Sequence, residues 1–212
     1  MTTPPDFSST DYQVFLEHDR NKAALERAWN TRNFEIELYW KRAAYFWTML
    51  GALFAAYGFT AKRSDVDQDL TLVLSCVGFV VSLAWYLVNR GSAAWQKNWE
   101  AHIDALEDAV TGPLYKVVRA PSPGEEWRPH GPLNISPSKV TITVSLFVTA
   151  TWLLLLFMEV GPPVCIGDRS LDLFRTACTV VTWIAAAWLL LMCRTSKDVE
   201  TFRFSIRKKV WS

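Results

Sequence analysis

The chain has 212 residues, a formal net charge of +1 and 50% hydrophobic residues. With 22 basic against 21 acidic residues it offers no electrostatic footprint for nucleic acid. Those totals suit a soluble domain as well as a membrane protein, so the distribution of charge along the chain has to decide between them.

Residues 1–9 read as a frayed tail. Thr10, with Gln13 three positions later, forms a capping box that opens a cytoplasmic helix through Tyr12, Phe15, Leu16, Leu25 and Trp29. The weak helix formers Asn30, Thr31 and Asn33 predict a kink or break inside this N-terminal region, residues 1–42. Tyr39, Trp40, Tyr45, Phe46 and Trp47, with Lys41 and Arg42, then mark a membrane interface. The opening Met-Thr-Thr-Pro-Pro-Asp lacks the basic and apolar regions of a cleavable signal peptide, so the first apolar stretch is expected to insert and anchor the chain.

Four uncharged stretches follow: residues 43–61, 70–89, 140–158 and 176–193. Each approaches the roughly 20 apolar residues needed to cross a bilayer. Four crossings put the N-terminus, the 90–139 connection and the 194–212 tail on one side. All but four of the 22 Lys and Arg residues lie there, the exceptions being Lys62, Arg63, Arg169 and Arg175. The positive-inside rule therefore predicts both termini in the cytoplasm, with outer loops at 62–69 and 161–170.

The second span is expected to continue beyond the bilayer. Trp95, Trp99, His102 or Ile103, Leu106 and Val110 keep helical spacing until Gly112-Pro113, giving one helix of roughly 60 Å over 70–111. Gly91-Ser92 is a point where it would soften. Six of the ten prolines lie between 113 and 137, which excludes regular helix there. A short extended piece fits 114–119, and Ser136-Pro137-Ser138 starts the third span. Residues 201–207 alternate as a strand through Phe202, Phe204 and Ile206, although Val199, Phe202, Ile206 and Val210 also satisfy helical spacing. The fold class is thus an all-α membrane protein: four transmembrane helices with long cytoplasmic extensions and room for a small β element at 114–119 and 201–207.

No catalytic, cofactor or metal motif occurs, whether HExxH, GxSxG or a phosphate-binding loop. Cys76, Cys165, Cys178 and Cys193 show no paired spacing and read as buried or interfacial thiols. His18, His102 and His130 lie in the cytoplasmic parts, and His102 reads as packing or exposure. Asp65, Asp67 and Asp69 begin like a calcium loop, but position 12 is Cys76 inside a span, so the acids read as an outward negative cluster. Glu159, Asp172 and Arg175 stand near span ends, where they pair or reach water. Thr141, Thr143, Ser145, Thr149, Thr151, Thr179 and Thr182 either line a pore or bond to their own helices, the second reading being preferred. Gly51 with Ala55, and Gly78 with Ser82, are small pairs that let helices approach. Trp95, Trp99 and Leu106 form an apolar stripe outside the bilayer. With the small pairs, they are the candidate oligomer interface.

Two stretches carry a family resemblance. Tyr39-Trp40-Lys41-Arg42 leads into an aromatic span. Asn89-Arg90-Gly91-Ser92 runs through Trp95-Gln96-Lys97-Asn98-Trp99-Glu100, His102-Ile103-Asp104 and Leu106-Glu107-Asp108 to Gly112-Pro113-Leu114-Tyr115-Lys116. Over about residues 35–118 the chain resembles the RipA-type octameric membrane proteins of bacteria. The resemblance implies an inner-membrane homo-octamer with a role in stress adaptation and no settled biochemical activity.

The expected function is a non-enzymatic oligomeric scaffold whose partners are itself, membrane lipid and an unidentified cytoplasmic protein. An oligomeric channel or pore-forming effector is the alternative, and an enzyme at the membrane surface a distant third.

Overall fold

The computed structural model describes residues 18–61, 68–117, 135–160 and 173–193. The described chain is all-helical: α1 (His18–Thr60), α2 (Gln68–Val110), α3 (Pro137–Val160) and α4 (Leu173–Leu191). Three of these, α2, α3 and α4, are long and apolar enough to cross a membrane. Residues 43–60 of α1 are also uncharged, but Tyr45, Trp47, Tyr57 and four polar or glycine positions dilute their mean hydropathy, and α1 is not among the three.

The expected break at Asn30–Asn33 is absent, since α1 runs through it. Thr31 returns its hydroxyl to the Arg27 carbonyl at 2.8 Å, and Arg32 reaches Glu100 at 3.3 Å. Tertiary contacts override the few tenths of a kcal/mol that separate weak from strong helix formers. α2 is likewise continuous through Gly91 and Ser92, as the unbroken apolar spacing from 70 to 110 requires. Pro137 opens α3, where its fixed φ is preorganised and no hydrogen bond is lost.

The extended piece expected at 114–119 is not formed in its described part. Residues 113–116 make a turn, and no strand occurs among the described residues. The cause lies in α2. Gly112 takes φ +75° and sends its N–H to the Glu107 carbonyl at 2.9 Å. Pro113 then ends the helix. The Glu107 carboxylate accepts the N–H groups of Tyr115 (2.7 Å) and Lys116 (3.2 Å), so those donors are unavailable to a sheet. The capping box at Thr10, Cys165, His130 and the 201–207 segment lie outside the described residues.

The chain divides into two compact units. In the first, residues 18–38 of α1 pack on 92–117, with Leu25, Ala28, Ile103 and Leu106 buried and Trp29, Trp99, Val110 and Tyr115 packed around them. In the second, parts of all four helices share one core of Leu50, Leu72, Cys76, Phe79, Leu83, Trp85, Trp152, Leu156 and Ala186. Half of α2's most apolar window is buried, against 22% in α3 and 11% in α4, so α2 is the central element. Phe147, Leu154, Ile184 and Trp188 stand outward on α3 and α4. Apolar faces of this size suit lipid, not water.

Candidate functional site

The small pair Gly78 and Ser82 belongs to packing within the second unit. Ser75, Gly78 and Ser82 recur at helical spacing on α2 and are all buried. Opposite them α3 buries Ser145, Thr149, Trp152 and Leu156 at the same periodicity. A Cβ on Gly78 would fall inside the van der Waals envelope of the Trp152 ring. The glycine is therefore the notch that admits a tryptophan to the bundle centre, where Phe54 (4.5 Å between ring centroids) and Tyr57 (5.9 Å) close around it. Helical spacing marks Gly78 as a close-packing position but does not name Trp152 as its partner. A lone tryptophan amid the small and hydroxyl residues of 140–158 was the available signal.

Gly51 and Ala55 behave differently. Both are exposed, and nothing lies within 4 Å of a Cβ built on Gly51. Their face of α1 is open in the single chain.

All seven hydroxyls in question return to their own helices. Thr141, Thr143, Thr149, Thr151, Thr179 and Thr182 donate to the carbonyl four residues back, and Ser145 to the one three back, at 2.8–3.0 Å. This is the local back-bonding that lets hydroxyls sit in apolar surroundings. Ser145, Thr149 and Thr182 are moreover buried.

The charged residues of the second unit separate by end. Lys41, Arg42, Arg90 and Lys139 stand where α1 enters the unit, α2 leaves it and α3 begins. Asp69, Glu159 and Arg175 stand at the opposite end and are joined. Arg175 pairs with Asp69 at 3.1 Å and donates to the Glu159 main-chain carbonyl at 2.6 Å, while the Tyr57 hydroxyl donates to the Glu159 carboxylate at 2.9 Å. Arg175 thus caps the C-terminus of α3, whose last carbonyls have no helical partner. Four helix ends are tied by this one cluster. Of the two expectations for Glu159, Asp172 and Arg175, mutual pairing or reaching water, Arg175 meets the first only through the Glu159 main chain, and Asp172 lies outside the described residues. Tyr57 and Asp69 were not foreseen as the partners.

In the first unit the stripe of Trp95, Trp99 and Leu106 is divided. Leu106 is 1% exposed, buried against Leu25 and Ala28 of the same chain. Trp99 is partly buried and lies 5.4 Å from the His102 ring. Burial lowers the His102 pKa below its ordinary 6.5. Trp95 alone stays half exposed, at 50%.

Around the turn after α2 a second polar group forms. Glu107 is 1% exposed, a carboxylate that would be costly to bury without the two N–H donors it receives. Lys116 pairs with Asp108. Tyr115 meets Trp29 edge-on at 4.4 Å and lies 5.5 Å beneath the Arg32 guanidinium.

Among the described residues no three His, Cys, Asp or Glu side chains come together to hold a metal. Cys76, Cys178 and Cys193 are free thiols, buried, half-buried and exposed respectively.

Residues 22–161 match the octameric membrane protein family. The matched stretch takes in most of α1 and all of α2 and α3. No curated protein and no solved structure matches the chain.

Proposed function

The chain belongs to the octameric membrane protein family, and from that premise we propose that it forms a ring of eight identical subunits in the bacterial inner membrane. Each subunit spans the bilayer four times with both termini in the cytoplasm, and the assembly serves as a non-enzymatic scaffold in stress adaptation. The observation that carries this reading is charge separation. Within the second unit, four cations gather at one end, and Asp69, Glu159 and Arg175 tie off the other. Cationic ends face the cytoplasm in membrane proteins. An even number of spans follows if residues 43–60 of α1 cross beside α2, α3 and α4. Supporting that, α1 places Leu50, Phe46, Leu53 and Tyr57 on the same core as the three apolar helices.

The scaffold role is supported by the first unit, in which residues 18–38 of α1 close on 92–117. Phe34 and Trp95 remain exposed on it as apolar ground for a neighbouring subunit or a cytoplasmic protein. The pore alternative draws no support from the hydroxyls, which are occupied by their own helices.

Two measurements test the proposal. A reporter fused to the C-terminus is expected to be active only in the cytoplasm, and activity only in the periplasm refutes the topology. Native mass analysis of the detergent-extracted complex is expected to give eight copies, and a monomer or dimer refutes the ring. Steady conductance in reconstituted bilayers would favour the pore reading over the scaffold.

A further inference from the structure

α4 is held to the rest of the second unit unevenly. Its most apolar window is 11% buried, and Thr182 and Ala186 are its buried residues. In lipid its remaining apolar surface gives no drive toward α2, so packing and polar contacts have to hold the helix. The packing is a short seam. The Cys76 thiol of α2 lies against the Thr182 hydroxyl and near Cys178, and Trp183 meets Phe79 at 5.8 Å between ring centroids. α4 therefore covers Cys76, which is buried. The polar contacts of Arg175 lie at one end. Arg175 stands in the first turn of α4, which contains no acid and where a positive charge opposes the helix dipole. That cost is offset by what the guanidinium reaches, the Asp69 carboxylate of α2 at 3.1 Å and the Glu159 main-chain carbonyl of α3 at 2.6 Å.

We propose that α4 is a strap over α2 fastened by Arg175, exchanging between a docked position and a released one in which Cys76 and Phe79 are uncovered. The seat of Trp152 against Gly78, Phe54 and Tyr57 is built from α1, α2 and α3, so the centre of the unit survives the release. The fastening is an ion pair whose two side chains are 28% and 33% exposed, so salt screens it. The seam around Thr182, Trp183 and Ala186 carries no charge and is not screened. Ionic strength at this end of the unit therefore sets how often the strap is released. The inference rests on the second unit lying in a membrane, and not on the subunit number or on which side faces the cytoplasm.

The test labels Cys76 in the full-length protein in detergent, with Cys165, Cys178 and Cys193 replaced by alanine. An uncharged maleimide is added under native conditions and the labelled fraction is followed by mass spectrometry. Labelling requires α4 to leave Cys76, so its rate follows the released fraction. Arg175→Gln is expected to label about fivefold faster. The parent should label faster at about 1 M salt than at about 0.1 M, and Arg175→Gln should lose that dependence. Leu156→Ala weakens the same core from α3 and separates release from unfolding, so it is expected to change the rate less than Arg175→Gln. The parent rate in Arg175→Gln, or a salt dependence that survives the substitution, overturns the proposal. So does an acceleration by Leu156→Ala as large as that by Arg175→Gln, which would assign labelling to unfolding of the whole unit. The salt series decides the matter should Leu156→Ala fail to fold. A monomer with the same contrast would refute the ring of eight and leave the strap standing.

Discussion

Gly78 and Gly51 look alike in the sequence, each a glycine followed four residues later by a small residue in an apolar helix. Their surroundings differ, and so should their variants. At Gly78 an added methyl meets a rigid tryptophan ring with no void to receive it. Gly78→Ala is expected to destabilise the detergent-solubilised subunit by about 1–3 kcal/mol, as overpacking does. Gly51→Ala, into open space, should be neutral or stabilising by up to about 1 kcal/mol from the better helix former. Thermal unfolding of the two variants side by side checks the contrast, and equal melting points would mean that Trp152 does not seat against Gly78. His102 gives a pH signature in the first unit. Its folded pKa lies below the unfolded 6.5, so the unfolded chain takes up the proton first. The stability that neutral His102 supports is complete above the unfolded value and is lost as pH falls through 6.5 toward the folded value. Unfolding followed from pH 7.5 downward should show that loss, and His102→Gln should flatten it.

At the scale of the element, helix ends carry information that periodicity does not. α2 stops where Gly112 and Pro113 dictate, but the direction taken afterwards is set by Glu107, one turn back inside the helix. Glu107→Ala should cost about 1–3 kcal/mol through the two N–H donors left without a partner. Hydrogen exchange is the suitable measurement, with rapid exchange at Tyr115 and Lys116 and unchanged protection through 70–89. Slow exchange at both residues would assign the turn to its aromatic contacts with Trp29 instead. Leu106→Ala, on the buried face of the same helix, should cost about 2–5 kcal/mol by leaving a cavity against Leu25 and Ala28. The joined ends of the four helices depend on Arg175. It is partly exposed, so its substitution by glutamine should lie at the lower end of that for a lost charged hydrogen bond, about 1 kcal/mol.

For the whole molecule the question is what surface remains for assembly once each subunit has folded. Within lipid there is no hydrophobic drive for helices to associate, whereas outside it a fully buried large side chain contributes roughly 1.5–3 kcal/mol. Leu106 is already used inside the subunit and Trp99 partly so. Trp95, half exposed, is the member of the stripe still able to contribute between subunits. Trp95→Glu is therefore expected to shrink the complex seen by size exclusion or native mass analysis, with helicity and membrane insertion unchanged. Trp99→Glu should weaken assembly and lower the stability of the first unit together. Thr149→Val should leave assembly as it is, because that hydroxyl serves the Ser145 carbonyl within its own helix. A normal complex from Trp95→Glu would show that the exposed tryptophan lies on a free surface.

The sequence by itself determined α2 as one long helix and two helix boundaries. Apolar spacing from residue 70 to 110 fixed α2, because a helix places every third or fourth residue on one face whatever it later packs against. Gly112-Pro113 and Pro137 fixed two boundaries by backbone sterics alone. The hydroxyls of α3 and α4 returned to their own carbonyls for a similarly local reason, since the acceptor lies one turn away in any helix. What only the tertiary structure decided was which residues are shared between helices. Asn30, Thr31 and Asn33 read as a break because propensity is a small local quantity, and the packing of α1 against α2 exceeded it. The turn at 113–116 depended on a buried carboxylate six or more residues upstream, so composition around the prolines could not reveal it. Periodicity assigned Trp95, Trp99 and Leu106 to one stripe. Burial separated them, because spacing along one helix does not record which stretch of another helix lies against it.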